Sequence, residues 1–464
     1  MSCSRPIIAG LPRAIDARAA QQNASPVGYD VPVRILFCLL ALTAFLAART
    51  PNIVLIISDD QGWTDYGFMG HPHIRTPNLD RLAAESVVFT RGYVPSSLCR
   101  PSLASIMTGV YPHQHRITGN DPPGDARSAS NRARMVEVFK RSTTLAALLG
   151  RAGYISHQSG KWWEGECQCG GFTEGMTHGD VARGGRHGDE GLKIGRESMQ
   201  PVFEFIDRAG DKPFFLWYAP FLPHAPHNAP ERLLKKYRVE GRPIELARYY
   251  AMCEWLDETV GYLITHLDDR KLAQDTLVIF LADNGWVQLQ GNRPLIDTRA
   301  KMSPYDAGIR TPILLRWPGH IKPQRDEKVL ASSVDLAPTA LAACNLKPEQ
   351  SMAGVNLLDR AALTKRTSIF GSLFVHTSID IDNPVANLKY RWMIRDRWKL
   401  IVPYPPNVSL PLWEGQPGTG WSTDVELFDI LSDPQEKSNL SRSRADLVRS
   451  LRDEINLWWP VPGN

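Results

Sequence analysis

The chain has 464 residues, of which 43% are hydrophobic and 22% are charged. These fractions are ordinary for a globular protein and exclude a disordered or collagen-like chain. The 53 Lys and Arg exceed the 49 Asp and Glu by only four charges, too small an excess to favour nucleic acid or an anionic membrane as a partner. The length predicts two large domains, or about three of ordinary size.

A short apolar run lies near the N-terminus. Residues 35–48 follow Arg34 and end in small side chains, which is typical of a secretory signal. The run is shorter than the roughly 20 residues that a membrane span needs. We therefore predict a leader over residues 1–48, an exported protein (periplasmic or secreted) and no stable membrane span. An uncleaved anchor and a buried helix are the alternatives, and a true start near Val31 or Val33 would explain the long segment that precedes the run.

Alternating strand and helix patterns follow. Buried parallel strands are predicted where β-branched and aromatic residues run continuously, over 51–58, 213–219 and 275–282. Helical patterns cover 78–86, 142–152 and 245–268. This alternation predicts an α/β fold with a mostly parallel central sheet flanked by helices. Ligands of such folds bind beyond the carboxyl ends of the strands.

The pattern changes after about residue 345. Short strands are predicted over 367–374, 390–394, 398–402 and 425–430, and a last helix over 443–458. We therefore predict a large α/β domain over 49–345 and a smaller C-terminal α+β domain with an antiparallel sheet over 346–464. The Gly-rich stretch 165–195 is expected to be a long loop over the site.

Four oxygen-donor side chains end two of the predicted strands: Asp59, Asp60, Asp283 and Asn284. Three carboxylates at one sheet edge repel one another unless a cation lies between them. Carboxylate and amide oxygens suit Ca²⁺ or Mg²⁺. The alternative is that these are ordinary turn residues.

The segment around Cys99 suggests a helix that begins at a cysteine. Pro101 suits the first helical turn and Gly109 the position after the last one. Cys99 then lies at the helix N-terminus, where free N–H groups favour anions. A cysteine in that place is either reactive or a structural thiol.

Three further side chains are candidates for the functional site, and each also has an ordinary structural interpretation. Lys161 and Lys301 could bind an anion, or be solvated surface lysines. His224 could donate a proton at a strand end, or be a structural histidine.

The cysteines indicate less clearly whether they form disulfide bonds or bind a metal. Of the seven, five lie beyond the predicted leader, an odd number that leaves at least one unpaired in an exported protein. Cys167 and Cys169 lack a second pair with metal-ligand spacing, so buried or disulfide-bonded thiols are favoured there.

The residues from about Asn52 to Leu440 resemble the formylglycine-dependent type I sulfatases of the alkaline phosphatase superfamily. The strongest match is Cys99-x-Pro101-Ser102 followed by Thr108-Gly109. Other matches, in chain order, are Asp59-Asp60-Gln61-Gly62, Thr76-Pro-Asn-Leu-Asp80, Gly160-Lys161-Trp162, Pro223-His224-x-Pro226, Asp283-Asn284-Gly285, Gly308-Ile-Arg310-x-Pro312, Trp398-Lys-Leu-Ile401 and Asp433-Pro434.

The resemblance implies a sulfuric ester hydrolase and a role for each candidate. A formylglycine-generating enzyme would convert Cys99 to formylglycine, whose hydrated aldehyde attacks sulfur and later expels sulfate. Ca²⁺, or Mg²⁺, would be held by the four residues at the strand ends. Lys161 and Lys301 would hold the sulfate, and His224 would protonate the leaving alcohol. The substrate would be a sulfated small molecule or glycan, and we favour a carbohydrate.

Two positions depart from the family's pattern. Leu103 stands where Arg is usual, and Trp163 stands where His is frequent; His178 or His187 could supply that imidazole. These departures motivate one alternative function, a non-catalytic binder of sulfated glycans. A phosphate or phosphonate ester hydrolase is the other alternative, because a metal and two lysines suit either tetrahedral anion. Aromatic residues could stack on sugar rings or lie in the core, namely Trp162, Trp163, Trp413 and Trp421.

Overall fold

Two β-sheets organise the chain, in a computed structural model that describes residues 50–125, 128–179, 190–286, 299–405 and 422–463, and the backbone of 289–290 and 293–294. The predicted leader therefore lies outside the described residues. The strands are β1 (Asn52–Ser58), β2 (Val87–Tyr93), β3 (Ile155–Gly160), β4 (Glu174–Gly175), β5 (Phe214–Ala219), β6 (Thr276–Ala282), β7 (Leu289–Gln290), β8 (Arg293–Pro294), β9 (Arg310–Arg316), β10 (Gln324–Asp326), β11 (Ala331–Ser332), β12 (Ser368–Phe374), β13 (Leu388–Arg395), β14 (Trp398–Pro403) and β15 (Glu426–Asp429).

Helices cover both faces of the larger sheet, and the last helix packs against the smaller sheet. They are α1 (Pro77–Ala84), α2 (Cys99–Thr108), α3 (Pro112–His115), α4 (Ala129–Phe139), α5 (Leu145–Arg151), α6 (Gln200–Ala209), α7 (Glu231–Tyr237), α8 (Ile244–Asp269), α9 (Asp306–Ile309), α10 (Leu336–Ala343), α11 (Arg360–Lys365) and α12 (Ala445–Trp458). None of the helices in the described part of the chain is long and apolar enough to cross a bilayer.

The larger sheet has the order β10-β2-β9-β6-β1-β5-β3-β4, with β11 also paired to β2. Only the pairs that β9 makes, with β2 and β6, are antiparallel, so the predicted mostly parallel sheet is confirmed. Alternate residues of β1 enter different cores: Ile53 and Leu55 pack on one face, and Val54 and Ile56 on the other. Burial on both faces explains why β1 is a continuous apolar run.

The second sheet has the order β12-β13-β14-β15 and is antiparallel throughout. Leu451 and Ile455 of α12 pack against Leu400 and Val402 of β14. The predicted C-terminal antiparallel sheet and last helix are therefore confirmed. Thr50 to Asn464 form one compact unit, and the domain boundary at residue 345 stays a prediction.

Candidate active site

The site lies where four neighbouring parallel strands end. Asp59 follows β1, Asp283 follows β6 and Lys161 follows β3, while His224 lies in the segment after β5. Because β6, β1, β5 and β3 are adjacent, their carboxyl ends bring these side chains to one edge of the sheet. All eight sequence-predicted site residues are within one network of contacts there.

Three carboxylates form the centre of this network. Asp59 Oδ1 lies 2.5 Å from Lys161 Nζ, and Asp283 Oδ2 lies 3.3 Å from the same nitrogen. Asp60 Oδ1 accepts hydrogen bonds from Asn284 Nδ2 at 2.7 Å and from Lys301 Nζ. Acceptor atoms of Asp59, Asp60 and Asp283 and the sulfur of Cys99 all lie within 4.8 Å of one another. This density of buried negative charge is what a divalent cation compensates.

Two oxygens of the cluster are unsatisfied. Asp59 Oδ2 and Asn284 Oδ1 are buried and accept no hydrogen bond. Burial raises the pKa of Asp59 to about 6 and that of Asp283 to about 7, despite Lys161. Buried acceptors without donors are costly unless a cation binds them. The donor set therefore fits a hard divalent cation, and the simple turn-residue alternative does not account for it.

Asp60 has an unusual backbone for a non-glycine residue. Its φ is 60°, in the left-handed region, which Asp tolerates better than most side chains do. This conformation directs the Asp60 carboxylate toward Lys301, and its backbone N–H donates to Asp283 Oδ1 at 3.1 Å. Burial raises the pKa of the Asp60 carboxylate, but Lys301 and His224 together lower it further, so the pKa lies below its ordinary value.

Cys99 begins α2, as predicted. Gly109 ends that helix with φ 69°, and its N–H donates to Ser105 O. The sulfur lies 3.0 Å from Lys301 Nζ and 3.8 Å from Asp60 Oδ1. Burial raises the pKa of the Cys99 thiol to about 12, so the unmodified side chain stays protonated despite the two nearby lysines. As a plain thiol it is a poor nucleophile.

The lysines are buried, so the surface alternative for them is wrong. The side chains of Lys161 and Lys301 are 1% and 8% exposed. Gly160 has φ 86°, and a Cβ there would lie 1.9 Å from the carbonyl oxygen of Ala219. Glycine is therefore required at position 160 for β3 to deliver Lys161 beside β5.

His224 presents one ring nitrogen to the cluster. Its Nε2 lies 3.5 Å from Asp60 Oδ2, while Nδ1 lies 2.7 Å from the carbonyl oxygen of Ala225. An N–H at Nδ1 donating to that carbonyl leaves Nε2 toward the site. Burial lowers the pKa of His224 to about 4.

Arg196 supports the His224 segment and was missed by sequence reasoning. Its guanidinium donates to the carbonyl oxygens of Phe221 at 2.5 Å, His224 at 3.0 Å and Pro226 at 3.3 Å. Arg196 directly follows the Gly-rich stretch 165–195, and no motif in the sequence marks it.

A buried ion pair lies close in sequence to the two departures from the family pattern, Leu103 and Trp163. Arg100 donates from Nε and Nη2 to both oxygens of Glu164, at 2.7 and 2.6 Å, and the two side chains are 1% and 4% exposed. Arg100 follows Cys99, and Glu164 follows Trp163. Leu103, in place of the usual Arg, is in the core. The pair ties the start of α2 to the segment that carries Lys161.

The remaining aromatic and histidine candidates lie in different parts of the chain, and none of those described is in the acidic cluster. Trp162 and Trp163 are 2% and 7% exposed and belong to the core, so the sugar-stacking alternative fails for both. Trp413, Trp421 and His187 lie outside the described residues. His178 is not part of the acidic cluster.

The five cysteines beyond the leader are unpaired: Cys99, Cys167, Cys169, Cys253 and Cys344. Within the described segments, Cys99 alone among them belongs to a metal-ligand cluster, so the weak metal pattern at 167–169 is not supported.

Comparisons with known proteins agree with the geometry. The sulfatase profile matches residues 51–346, and a profile described as N-sulphoglucosamine sulphohydrolase, C-terminal, matches residues 293–417. Human N-acetylgalactosamine-6-sulfatase is 31% identical in an alignment of length 354 that covers 67% of this chain and 66% of that protein. Human arylsulfatase A is 34% identical in an alignment of length 368 that covers 69% of each chain. The matches thus span about two thirds of these curated relatives.

The fold is shared more widely. The crystal structure of a phosphonate monoester hydrolase from Agrobacterium radiobacter matches with a TM-score of 0.62 at 19% identity, covering 87% of this chain and 94% of that one. This likeness concerns the fold alone. The sulfatase profile and the two human relatives confirm the predicted resemblance, and the chain belongs to the sulfatase family, a family of sulfuric ester hydrolases.

Proposed function

We propose that the protein hydrolyses the sulfate ester of a carbohydrate and releases inorganic sulfate. The nucleophile is a formylglycine made from Cys99, and the metal is Ca²⁺ or Mg²⁺ held by Asp59, Asp60, Asp283 and Asn284. The observation that carries the proposal is the meeting of Cys99, two buried lysines and three carboxylates at one sheet edge.

Each residue has a role in this reaction. Lys161 and Lys301 bind the sulfate oxygens, and one hydroxyl of the hydrated formylglycine attacks sulfur. The attacking hydroxyl gives its proton to Nε2 of His224, the S–O bond to the sugar breaks, and Nε2 passes that proton to the leaving alcohol. The remaining hydroxyl then loses a proton, the bond from carbon to the sulfate oxygen breaks, and the aldehyde is restored. When bound, the cation supplies charge neutralisation and polarises oxygen.

The names of the relatives support a sugar substrate. One is an N-acetylgalactosamine-6-sulfatase, and the C-terminal profile takes its name from an N-sulphoglucosamine sulphohydrolase. We extend this substrate class to the present chain: a sulfated amino sugar within a small molecule or glycan.

The proposal includes maturation and export. The N-terminal apolar run directs the chain to the periplasm or the exterior. A formylglycine-generating enzyme is the partner that modifies Cys99. Leu103 and Trp163 motivate the alternative of a binder that lacks the modification.

Release of inorganic sulfate from 4-methylumbelliferyl sulfate tests the activity. We expect turnover of this ester well above that of the matched phosphate and phenylphosphonate esters. The reverse order is expected of the second candidate, a phosphate or phosphonate ester hydrolase, and would contradict a sulfatase. Binding without turnover of any ester would support the non-catalytic alternative.

Removal of the metal gives a second test. Excess chelator is expected to abolish turnover, because the buried carboxylates lose their compensating charge, and Ca²⁺ or Mg²⁺ is expected to restore it. The restoring ion identifies the metal. Full activity after dialysis against chelator, with no metal detected by mass spectrometry, would contradict the metal site.

A further inference from the structure

We propose that Arg196 is a positioning residue for the reaction: its guanidinium holds the backbone that carries His224 and keeps Nε2 of His224 directed at the acidic cluster, where the ester reacts. The inference rests on the proposed function, in which His224 transfers the proton. Arg196 is half-buried, and its hydrogen bonds go to the His224 segment.

The segment that carries His224 has fewer backbone donors than an ordinary loop. It contains Pro220, Pro223 and Pro226, which have no N–H to donate. Its carbonyl oxygens are therefore the main groups by which neighbouring residues can hold it. The backbone N–H of Asp59 donates to one of these, the carbonyl oxygen of Leu222, at 2.9 Å.

Arg196 holds the same segment through three further carbonyl oxygens. Its Nη2 donates to those of Phe221 at 2.5 Å and His224 at 3.0 Å. Its Nη1 donates to that of Pro226 at 3.3 Å and to Oδ1 of Asn228. A guanidinium presents its donors in a rigid planar fork, so one side chain fixes three points of this backbone relative to one another.

Arg196 is itself held in place. Its guanidinium lies 5.9 Å from the ring centre of Phe221 and 5.7 Å from that of Trp255, and such contacts between a cation and an aromatic ring are favourable. In the same stretch of chain, Gly191 packs against the end of β3, where an added Cβ would lie 2.3 Å from the carbonyl oxygen of Gly160. The Arg196 segment is therefore built against the strand end that carries Lys161.

The position of the His224 ring depends on the backbone that Arg196 holds. The ring nitrogen Nδ1 lies 2.7 Å from the carbonyl oxygen of Ala225, and the Phe221 ring packs on the imidazole with 4.2 Å between the ring centres. Both contacts come from the same segment, and together they leave Nε2 3.5 Å from Asp60 Oδ2. A misplacement of about 1 Å in a reacting group can lower a rate about 100-fold.

A comparison of two leaving groups separates this role from a general loss of structure. Phenyl sulfate and 4-nitrophenyl sulfate have similar shapes, but 4-nitrophenolate leaves readily without a proton, whereas phenolate does not. Arg196→Met is expected to lower kcat about 100-fold for phenyl sulfate and less than about 10-fold for 4-nitrophenyl sulfate. Because Arg196 acts through His224 and not on the substrate, KM is expected to change less than about three-fold for either ester.

The link to His224 is tested by combining two variants. His224→Ala alone is expected to slow phenyl sulfate more than 4-nitrophenyl sulfate, in the same order as Arg196→Met. The double variant is expected to be no more than about two-fold slower than His224→Ala alone, because residues that act as a unit are not additive.

Arg242→Met is the matched control. Arg242 is also half-buried, donates to the carbonyl oxygen of Tyr237 at 2.9 Å and lies 5.1 Å from the ring centre of Tyr250. Its rates for both esters are expected to stay within about two-fold of the wild type. Arg196→Lys keeps a charged donor without the fork, so it is expected to lose less than Arg196→Met, and it carries the same comparison if the Met variant does not fold.

In an active wild-type background, three results would overturn the inference: equal losses for the two esters, additive losses in the double variant, or wild-type rates in Arg196→Met. The same pattern of losses in Arg242→Met would also overturn it. Absence of sulfate release by the wild-type chain is a different result, which would overturn the proposed function and the inference with it.

Discussion

Cys99 has an environment that disfavours ordinary thiol chemistry. The sulfur contacts Lys301, yet burial keeps the thiol protonated, with its pKa raised to about 12. A modified side chain at the same place would lie beside the same lysine and beside Asp60. The position therefore suits the proposed formylglycine, a nucleophile that does not depend on a thiolate.

Replacing Cys99 with Ala is expected to reduce turnover at least 1,000-fold, since the covalent step is lost. The fold should persist, because Ala also suits the start of a helix. Steady-state kinetics with an aryl sulfate and a thermal melt measure both. Cys169→Ala, at a partly exposed cysteine outside the acidic cluster, is the control and should keep its turnover. Retained activity in Cys99→Ala would contradict the covalent role.

The Arg100–Glu164 pair makes a prediction about stability. Glu164→Gln leaves a buried guanidinium without its counter-charge, which is expected to cost about 3–5 kcal/mol in the free energy of unfolding. The control is Glu258→Gln, which removes the partner of the more exposed Arg232 and should cost about 1 kcal/mol or less. Urea denaturation measures both. Equal costs would show that the buried pair does not hold the two segments together.

At the scale of elements, local patterns predict much of the fold. The run predicted over 275–282 is β6 to within one residue, and the helix predicted over 245–268 is Ile244–Asp269. Both are long and strongly periodic or apolar, so local residue preferences and burial agree. The carboxyl-end rule also located Asp59 and Asp283, since it needs only strand direction.

Contacts between distant segments could not be predicted in the same way. The sequence pattern does not reveal that β9 is inserted antiparallel between β2 and β6. Arg100 occupies the variable position of the Cys99-x-Pro101-Ser102 motif, and Glu164 is 64 residues away, so their pairing depends on tertiary structure. The burial of Trp162 among Phe139, Phe172 and Trp217 is likewise a tertiary result.

The α2–α3 contact makes a prediction about pH. His115 Nε2 lies 3.0 Å from Ser105 Oγ, and Nδ1 accepts the N–H of Ile117, so the ring is neutral. Burial lowers its pKa to about 3. The unfolded chain takes up the proton near pH 6.5, so the folded state loses stability as pH falls from there toward 3.

Below pH 6.5, the free energy of unfolding of the wild type is therefore expected to fall by about 1.4 kcal/mol per pH unit more than that of His115→Gln. Denaturation at pH 7, 6 and 5 measures the difference between the two proteins. His73→Gln, at an exposed histidine, is the control and should follow the wild type. A wild-type curve parallel to that of His115→Gln would contradict the buried neutral ring.

At the scale of the whole molecule, the small net charge does not reveal where the cationic side chains lie. Residues 1–48 hold four Arg and two Asp, so the remaining chain has 49 basic and 47 acidic residues, a charge of +2. Two of these cations, Lys161 and Lys301, are buried against three carboxylates.

The proposed export predicts where the mature chain begins. We expect the native protein to begin near residue 49, because a signal peptidase cleaves after the small residues that end the apolar run. N-terminal sequencing of the protein purified from its source measures this. A mature chain that retains Ser2 would contradict both the leader and the downstream start.

The central claim is that Cys99 is made into formylglycine, despite Leu103. Mass spectrometry of the peptide containing position 99, from the native protein, tests it most directly. We predict the mass of the aldehyde or its hydrate at position 99 and loss of that signal in Cys99→Ala. A thiol at position 99 in every molecule of a sample that releases sulfate would contradict the account.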